Sequence, residues 1–146
     1  MDQTRRYSAR VRETDEIVRR ARALYGPRLR GMFAFGSRVT GDARPESDLD
    51  VAVWLDGPFR RKDSWLPWVR EFGELEPTLD PTFVTSSSLD SPPSWLLEAV
   101  RGGIEIWFDP RGELGAVIGG LRTAIGAGAF ERRLFMGLPY YARARS

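Results

Sequence analysis

The chain has no cysteine and no histidine among its 146 residues. Without cysteine there is no disulfide framework and no thiolate nucleophile. Without either residue, a zinc site lacks its usual ligands. Chemistry must rest on carboxylates, hydroxyls, arginines and a bound hard metal. Lysine is nearly missing too: Lys62 is the only one, so the positive charge is almost all arginine. That bias reads either as affinity for nucleotides or RNA, or as the codon usage of a GC-rich genome, which also favours Gly and Ala. A net charge of +2 does not demand a nucleic-acid partner, so nucleic acid is possible but not required. No apolar run approaches the ~18 residues of a membrane span. The Arg-rich N-terminus has no apolar core of a secretory signal. The expectation is a cytoplasmic protein with no membrane association. Hydrophobic residues make up 42% and charged residues 29%, which suits one globular domain over residues 1–146.

What is present concentrates in Met32 to Leu55. A short apolar run, Met32-Phe33-Ala34-Phe35, stops at Gly36-Ser37-Arg38, and ten residues separate Ser37 from Asp48-Leu49-Asp50. A second apolar run, Val51 to Leu55, follows. A strand that ends at Gly-Ser and turns into a helix leaves backbone N–H groups unpaired, and such groups suit a phosphate. Glycine allows close approach and a positive φ. Asp48 and Asp50 are two apart, so on a strand they share a face. Two hard carboxylates on one face can hold Mg²⁺ together with substrate phosphates. Leu49, Val51, Val53 and Leu55 form the opposite, core-directed face.

The Gly36-Ser37-Arg38 … Asp48-Leu49-Asp50 pattern resembles the minimal nucleotidyltransferases of the DNA polymerase β superfamily. The resemblance spans roughly Leu24 to Asp109 and implies an α/β (α+β) fold, a small mixed sheet flanked by helices, with residues 111–146 as a C-terminal helix and tail. It implies nucleotide binding at Gly36, Ser37 and Arg38. It also implies a third carboxylate on a strand beside Asp48 and Asp50, for which Asp80 is the candidate, with Asp90 and Glu76 as weaker substitutes. A third carboxylate can share the metal and take a proton from the incoming hydroxyl. The alternative for Asp80 is a plain turn residue before Pro81.

In chain order, residues 3 to 25 read as a helix with Tyr7, Val11, Val18, Ala21 and Tyr25 near one face. Gly26-Pro27 stops it. Arg30 to Phe35 reads as a strand, Arg38 to Ala43 as a short helix or turn, and Asp48 to Leu55 as a second strand. Arg44 is either a phosphate contact or a solvated loop charge. Asp63 or Ser64 is expected to cap a helix through about Leu75, with Pro67 in its first turn. Trp65, Trp68, Val69 and Phe72 would line one side, as core or as a base-stacking platform. Thr78 to Thr85 reads as a third strand. Pro81 cannot donate a ladder hydrogen bond, so this strand must start there or lie at an edge. The Thr85 to Ser88 run reads as a loop, Ser91-Pro92 as a helix start, and Ile104 to Phe108 as a strand. A last helix runs from about Gly112 to Thr123 or beyond. Its glycines cost up to ~1 kcal/mol each relative to Ala, so packing is expected to complete it, against a second chain among other candidates. Phe130 to Ser146 reads as a docking arm or a frayed terminus.

Together these readings predict a Mg²⁺-dependent nucleotidyltransferase. Asp48, Asp50 and Asp80 would hold the metal. AMP from ATP would pass to a hydroxyl acceptor. The stand-alone size resembles the antitoxin of a two-gene module, which implies a partner HEPN-type toxin whose tyrosine is the acceptor. Two alternatives stay open. One is a non-catalytic module that neutralises its partner by contact. The other is a nucleotidyltransferase acting on a small molecule or an RNA end, with the site completed in a dimer.

Overall fold

The computed structural model describes residues 3–41 and 48–144, with residues 3–12 as backbone. Arg44, Pro45 and Ser47, and the side chains of Tyr7 and Val11, lie outside the described residues. The elements are α1 (Gln3–Tyr25), a 3₁₀ turn (Gly26–Arg28), β1 (Leu29–Phe35), α2 (Ser37–Thr40), β2 (Leu49–Leu55) and α3 (Arg61–Phe72). Then come β3 (Leu79–Val84), α4 (Ser86–Asp90), α5 (Ser94–Gly102), β4 (Glu105–Phe108), α6 (Glu113–Gly126), β5 (Phe130–Phe135) and β6 (Leu138–Arg143).

One mixed sheet runs in the order β3-β2-β1-β4, with β1 antiparallel to β2 and β4, and β2 parallel to β3. The fold is α+β, as expected. Helices cover both faces. On one side Met32, Val51, Val53 and Leu55 meet Ala21 and Tyr25 of α1 and Trp68 and Phe72 of α3. On the other, Phe33, Ala52, Trp54 and Val84 meet Leu96, Leu97 and Val100 of α5 and Leu114 and Ile118 of α6. Each fully buried side chain of this kind contributes roughly 1.5–3 kcal/mol. Gly31 explains how close α6 lies: a Cβ there would stand 3.1 Å from Leu114 and 3.3 Å from Trp54. Among the described residues, no helix is long and apolar enough to cross a membrane.

The strands fall where periodicity puts them, and Pro81 is tolerated because β3 is an edge strand. Five expectations are corrected. First, β2 begins at Leu49 rather than Asp48, so Asp48 stands just before the strand that carries Asp50. Second, α3 starts at Arg61 with no side-chain cap, so Pro67 sits inside the helix rather than in its first turn. Ser64 is not a cap; it is buried, and its hydroxyl bonds back to the Arg60 and Arg61 carbonyls. Trp68 and Phe72 are core, whereas Trp65 and Val69 face outward. Third, the serine run forms the short helix α4, held by Leu89 in the core. Fourth, α5 begins at Ser94 after Pro93, later than Ser91-Pro92 suggested. Fifth, the tail is neither frayed nor irregular up to Arg143: β5 and β6 pair as an antiparallel hairpin.

Candidate active site

The Gly-Ser turn and the carboxylates meet at one end of the sheet. In register, Phe35 at the end of β1 lies opposite Asp50 on β2, and Asp50 lies beside Asp80 on β3. Cross-strand partners share a face, so Asp50 and Asp80 project to the α5 side with Phe35, just beyond the apolar layer of Ala52 and Trp54. Asp48 precedes β2 and is exposed, as is Asp80; Asp50 is half-buried. Gly36 has φ +84°, and a Cβ on it would stand 2.4 Å from Oδ2 of Asp50. Only glycine fits between the turn and that carboxylate. The turn closes onto α2, where the Val39 and Thr40 N–H groups donate to the Gly36 carbonyl and Gly41 N–H donates to the Ser37 carbonyl. Ser37 and Arg38 are both half-buried on α2.

The electrostatics follow from the crowding. The Asp50 carboxyl is held above its ordinary range, first by burial and then by the negative charges of Asp80 and Asp48. Like charges in one site raise a carboxyl's affinity for a proton, and for any cation that takes the proton's place. Asp90, at the end of α4, and Glu76, in the turn before β3, are not among the groups acting on Asp50.

Sequence reasoning missed the cleft beside this cluster. It has a volume of about 690 Å³, within the usual range for small-molecule sites. Gly36, Ser37 and Thr40 form one wall, and Trp95, Glu98 and Ala99 of α5 another. Leu138 and Pro139 of the hairpin close the rim. Trp95 packs on Phe35 with ring centroids 5.2 Å apart. Glu98 accepts hydrogen bonds from Arg132 at 3.0 and 3.1 Å and from Tyr141 Oη at 2.6 Å, so its carboxyl is held below its usual range, first by Arg132. Trp95 and Glu98 sit on α5, whose amphipathic pattern marks its core face and does not single them out.

Residues 14–99 match the nucleotidyltransferase domain family. The chain belongs to that family. The nucleotidyltransferase also shares its fold with solved toxin–antitoxin complexes. One, crystallised with AMP-PNP, has a chain that superposes with a TM-score of 0.57 at 18% identity, over 78% of this chain and 87% of that one. Another holds a tri-AMPylated Shewanella oneidensis HEPN toxin with its MNT antitoxin, at TM-score 0.53, 16% identity and coverage of 78% and 84%. An MntA–HepT complex gives 0.51 and 17%, covering 78% and 85%. At such identities the likeness is one of fold. No curated protein matches the nucleotidyltransferase in sequence.

The donor chemistry of the sheet end suits a hard divalent cation. Among the described residues, no three acidic side chains are grouped so as to hold a metal ion. Mg²⁺ does not need such a group: it binds through one or two carboxylates and fills its shell with water and phosphate oxygens. Asp50, with Asp48 and Asp80 near enough to act on it, offers such an open set of oxygens.

Proposed function

We propose that the nucleotidyltransferase moves AMP from ATP to a hydroxyl on a partner protein, a tyrosine of a HEPN-type toxin, and so acts as the antitoxin of that pair. The observation that carries this reading is the close approach of the Gly36 turn, itself part of the cleft wall, to Asp50, which pairs in register with Asp80. Asp48, Asp50 and Asp80 would hold Mg²⁺. Bound there, it would neutralise charge on the triphosphate and orient the α-phosphorus.

The chain's own groups do the rest. The Ser37 hydroxyl and the turn's backbone N–H groups hold the outer phosphates, with Arg38 beside them. The Phe35–Trp95 wall offers an apolar surface for the base. Asp80, exposed on the edge strand, accepts the proton from the incoming hydroxyl. The hydroxyl oxygen bonds to the α-phosphorus, the bond from that phosphorus to the bridging oxygen breaks, and pyrophosphate leaves. The AMP-PNP and AMPylated-toxin complexes of the structural relatives support the choice of nucleotide and acceptor.

The test uses ATP radiolabelled at the α-phosphate, Mg²⁺ and the HEPN-type protein co-expressed with this chain. Label should appear on the partner, and Asp48→Asn with Asp50→Asn should abolish it. A partner that binds but never takes label sinks the reading.

A further inference from the structure

We propose that Glu98 selects the base of the nucleotide by accepting a hydrogen bond from the 6-amino group of adenine, a claim that rests on the reading of the cleft as the nucleotide site. Among the described residues that line the cleft, Glu98 is the one that carries a charge. The other polar side chains there are the hydroxyls of Ser37, Thr40 and Ser94. A carboxylate in a cleft that takes a triphosphate opposes binding by like-charge repulsion, unless the ligand gives it a hydrogen bond in return.

Glu98 is not waiting for a metal. Arg132, and after it Tyr141, hold its carboxyl below the usual range, so it is ionised and can only accept. Asp50 is in the opposite state, held above its range by burial and by like charges. The cation that Asp50 lacks is already supplied at Glu98 by the hairpin.

The lone pairs decide what Glu98 can read. Its Oε2 accepts from Arg132 Nε at 3.1 Å and from Tyr141 Oη at 2.6 Å, and its Oε1 accepts from Arg132 Nη2 at 3.0 Å. A carboxylate has about four acceptor positions, so one is left, on Oε1. Guanine offers two adjacent donors, N1–H and the 2-amino group, which suit a carboxylate with both oxygens open. That paired fit is closed at Glu98. A single donor fits, and adenine carries one at position 6, where guanine and hypoxanthine carry an acceptor oxygen. Acceptor set against acceptor in a half-buried place is unfavourable.

Position favours the base over the sugar. Trp95 packs on Phe35, which directly precedes the Gly36 turn. Trp95 and Glu98 are three apart on α5, so they are neighbours on the helix surface, about 4.5 Å apart along its axis. With the outer phosphates at Gly36 and Ser37, a ring laid on the Phe35–Trp95 wall can turn an edge to Glu98. The ribose joins that ring to the phosphates and so lies back toward the turn.

The test is calorimetry of the full chain with Mg²⁺ and ATP, inosine triphosphate, GTP or 2′-deoxy-ATP, for wild type, Glu98→Gln and Tyr141→Phe. Glutamine can keep Arg132 and Tyr141 on its carbonyl oxygen and turn its amide N–H to the cleft. Wild type should bind ATP about tenfold more tightly than inosine triphosphate or GTP, and 2′-deoxy-ATP within about twofold of ATP. Glu98→Gln should bring ATP and inosine triphosphate level or reverse their order. Tyr141→Phe loosens the hairpin but keeps the acceptor, and should retain the preference. Equal binding of ATP and inosine triphosphate by wild type, or tighter binding of GTP, overturns the assignment and leaves the transfer reading standing. Discrimination against 2′-deoxy-ATP in place of inosine triphosphate moves Glu98 to the ribose and overturns it too. So does a preference unchanged in Glu98→Gln, or lost equally in Tyr141→Phe, since Glu98 would then act only by holding the hairpin. The expected preference without label on the partner in the transfer assay fails the transfer reading alone. No binding of ATP to wild type fails the nucleotide site, and Glu98 with it.

Discussion

The two ends of strands β1 and β2 carry opposite solutions to the same problem. At one end, Asp50 faces Asp80 and Asp48, and its carboxyl is held above its ordinary range. At the other, Arg30 stacks over Trp54 at 4.7 Å and hydrogen-bonds both Asp56, at 3.0 Å, and Glu113. The second end is closer to balance: Arg30 serves both acids, and Arg111 stands 3.9 Å from Glu113. At the first, burial and the negative charges of Asp80 and Asp48 raise the affinity of Asp50 for a cation. Charges arranged to satisfy one another hold a fold together. Charges arranged in mutual repulsion beside a cleft mark a place where a ligand completes the structure.

The largest test of this contrast is Asp50→Asn. Transfer should fall about a thousandfold, ~4 kcal/mol of transition-state stabilisation. A labelling assay that finds it unchanged removes Asp50 from the chemistry. Next is Gly36→Ala, which forces a Cβ against Asp50 Oδ2 at a positive φ. A loss of ~1–3 kcal/mol in stability and of about a hundredfold in transfer is expected, read by denaturant melts and labelling. The balanced end should behave differently. Arg30→Met should cost ~1–2 kcal/mol of stability and leave transfer within about twofold. A large loss of activity there would break the comparison.

The smallest effect concerns pH. Because the folded state raises the Asp50 pKa above its reference value of 3.8, the group stabilises the fold fully below that value. The contribution is lost as pH rises through the folded pKa. Asp50→Asn should therefore melt about 1–2 °C above ligand-free wild type near neutral pH and show no advantage near pH 4. Addition of ATP with Mg²⁺ should reverse the order. An advantage of equal size at both pH values would assign the gain to something other than the charge of Asp50.

Much of this was readable before the chain was folded. The Gly36-Ser37 turn and the Asp48-Leu49-Asp50 alternation are local: turn chemistry and period two carry them. Pro81 left two options, a strand start or an edge, and the edge is what is found. The partnership of Asp50 with Asp80 is not local. It needs the parallel register of β2 and β3, which no spacing between residues 50 and 80 encodes. The start of α3 was misplaced because Arg60 is no capping residue, while Ser64, a typical one, is spent on buried back-bonding. The hairpin was missed because Met136-Gly137 is a poor match to the residues its turn prefers. With the hairpin went the rim of the cleft, and with the rim went Trp95 and Glu98.

Pro81 has one more consequence. A proline fits a sheet where the position of its missing N–H faces away from neighbouring strands, and β3 has a neighbour only on the β2 side. The open edge of β3 therefore lacks a donor one residue after Asp80. An extended peptide that tried to add itself there would find its ladder interrupted beside the chemistry. Strand addition is therefore disfavoured at this edge, one residue from Asp80.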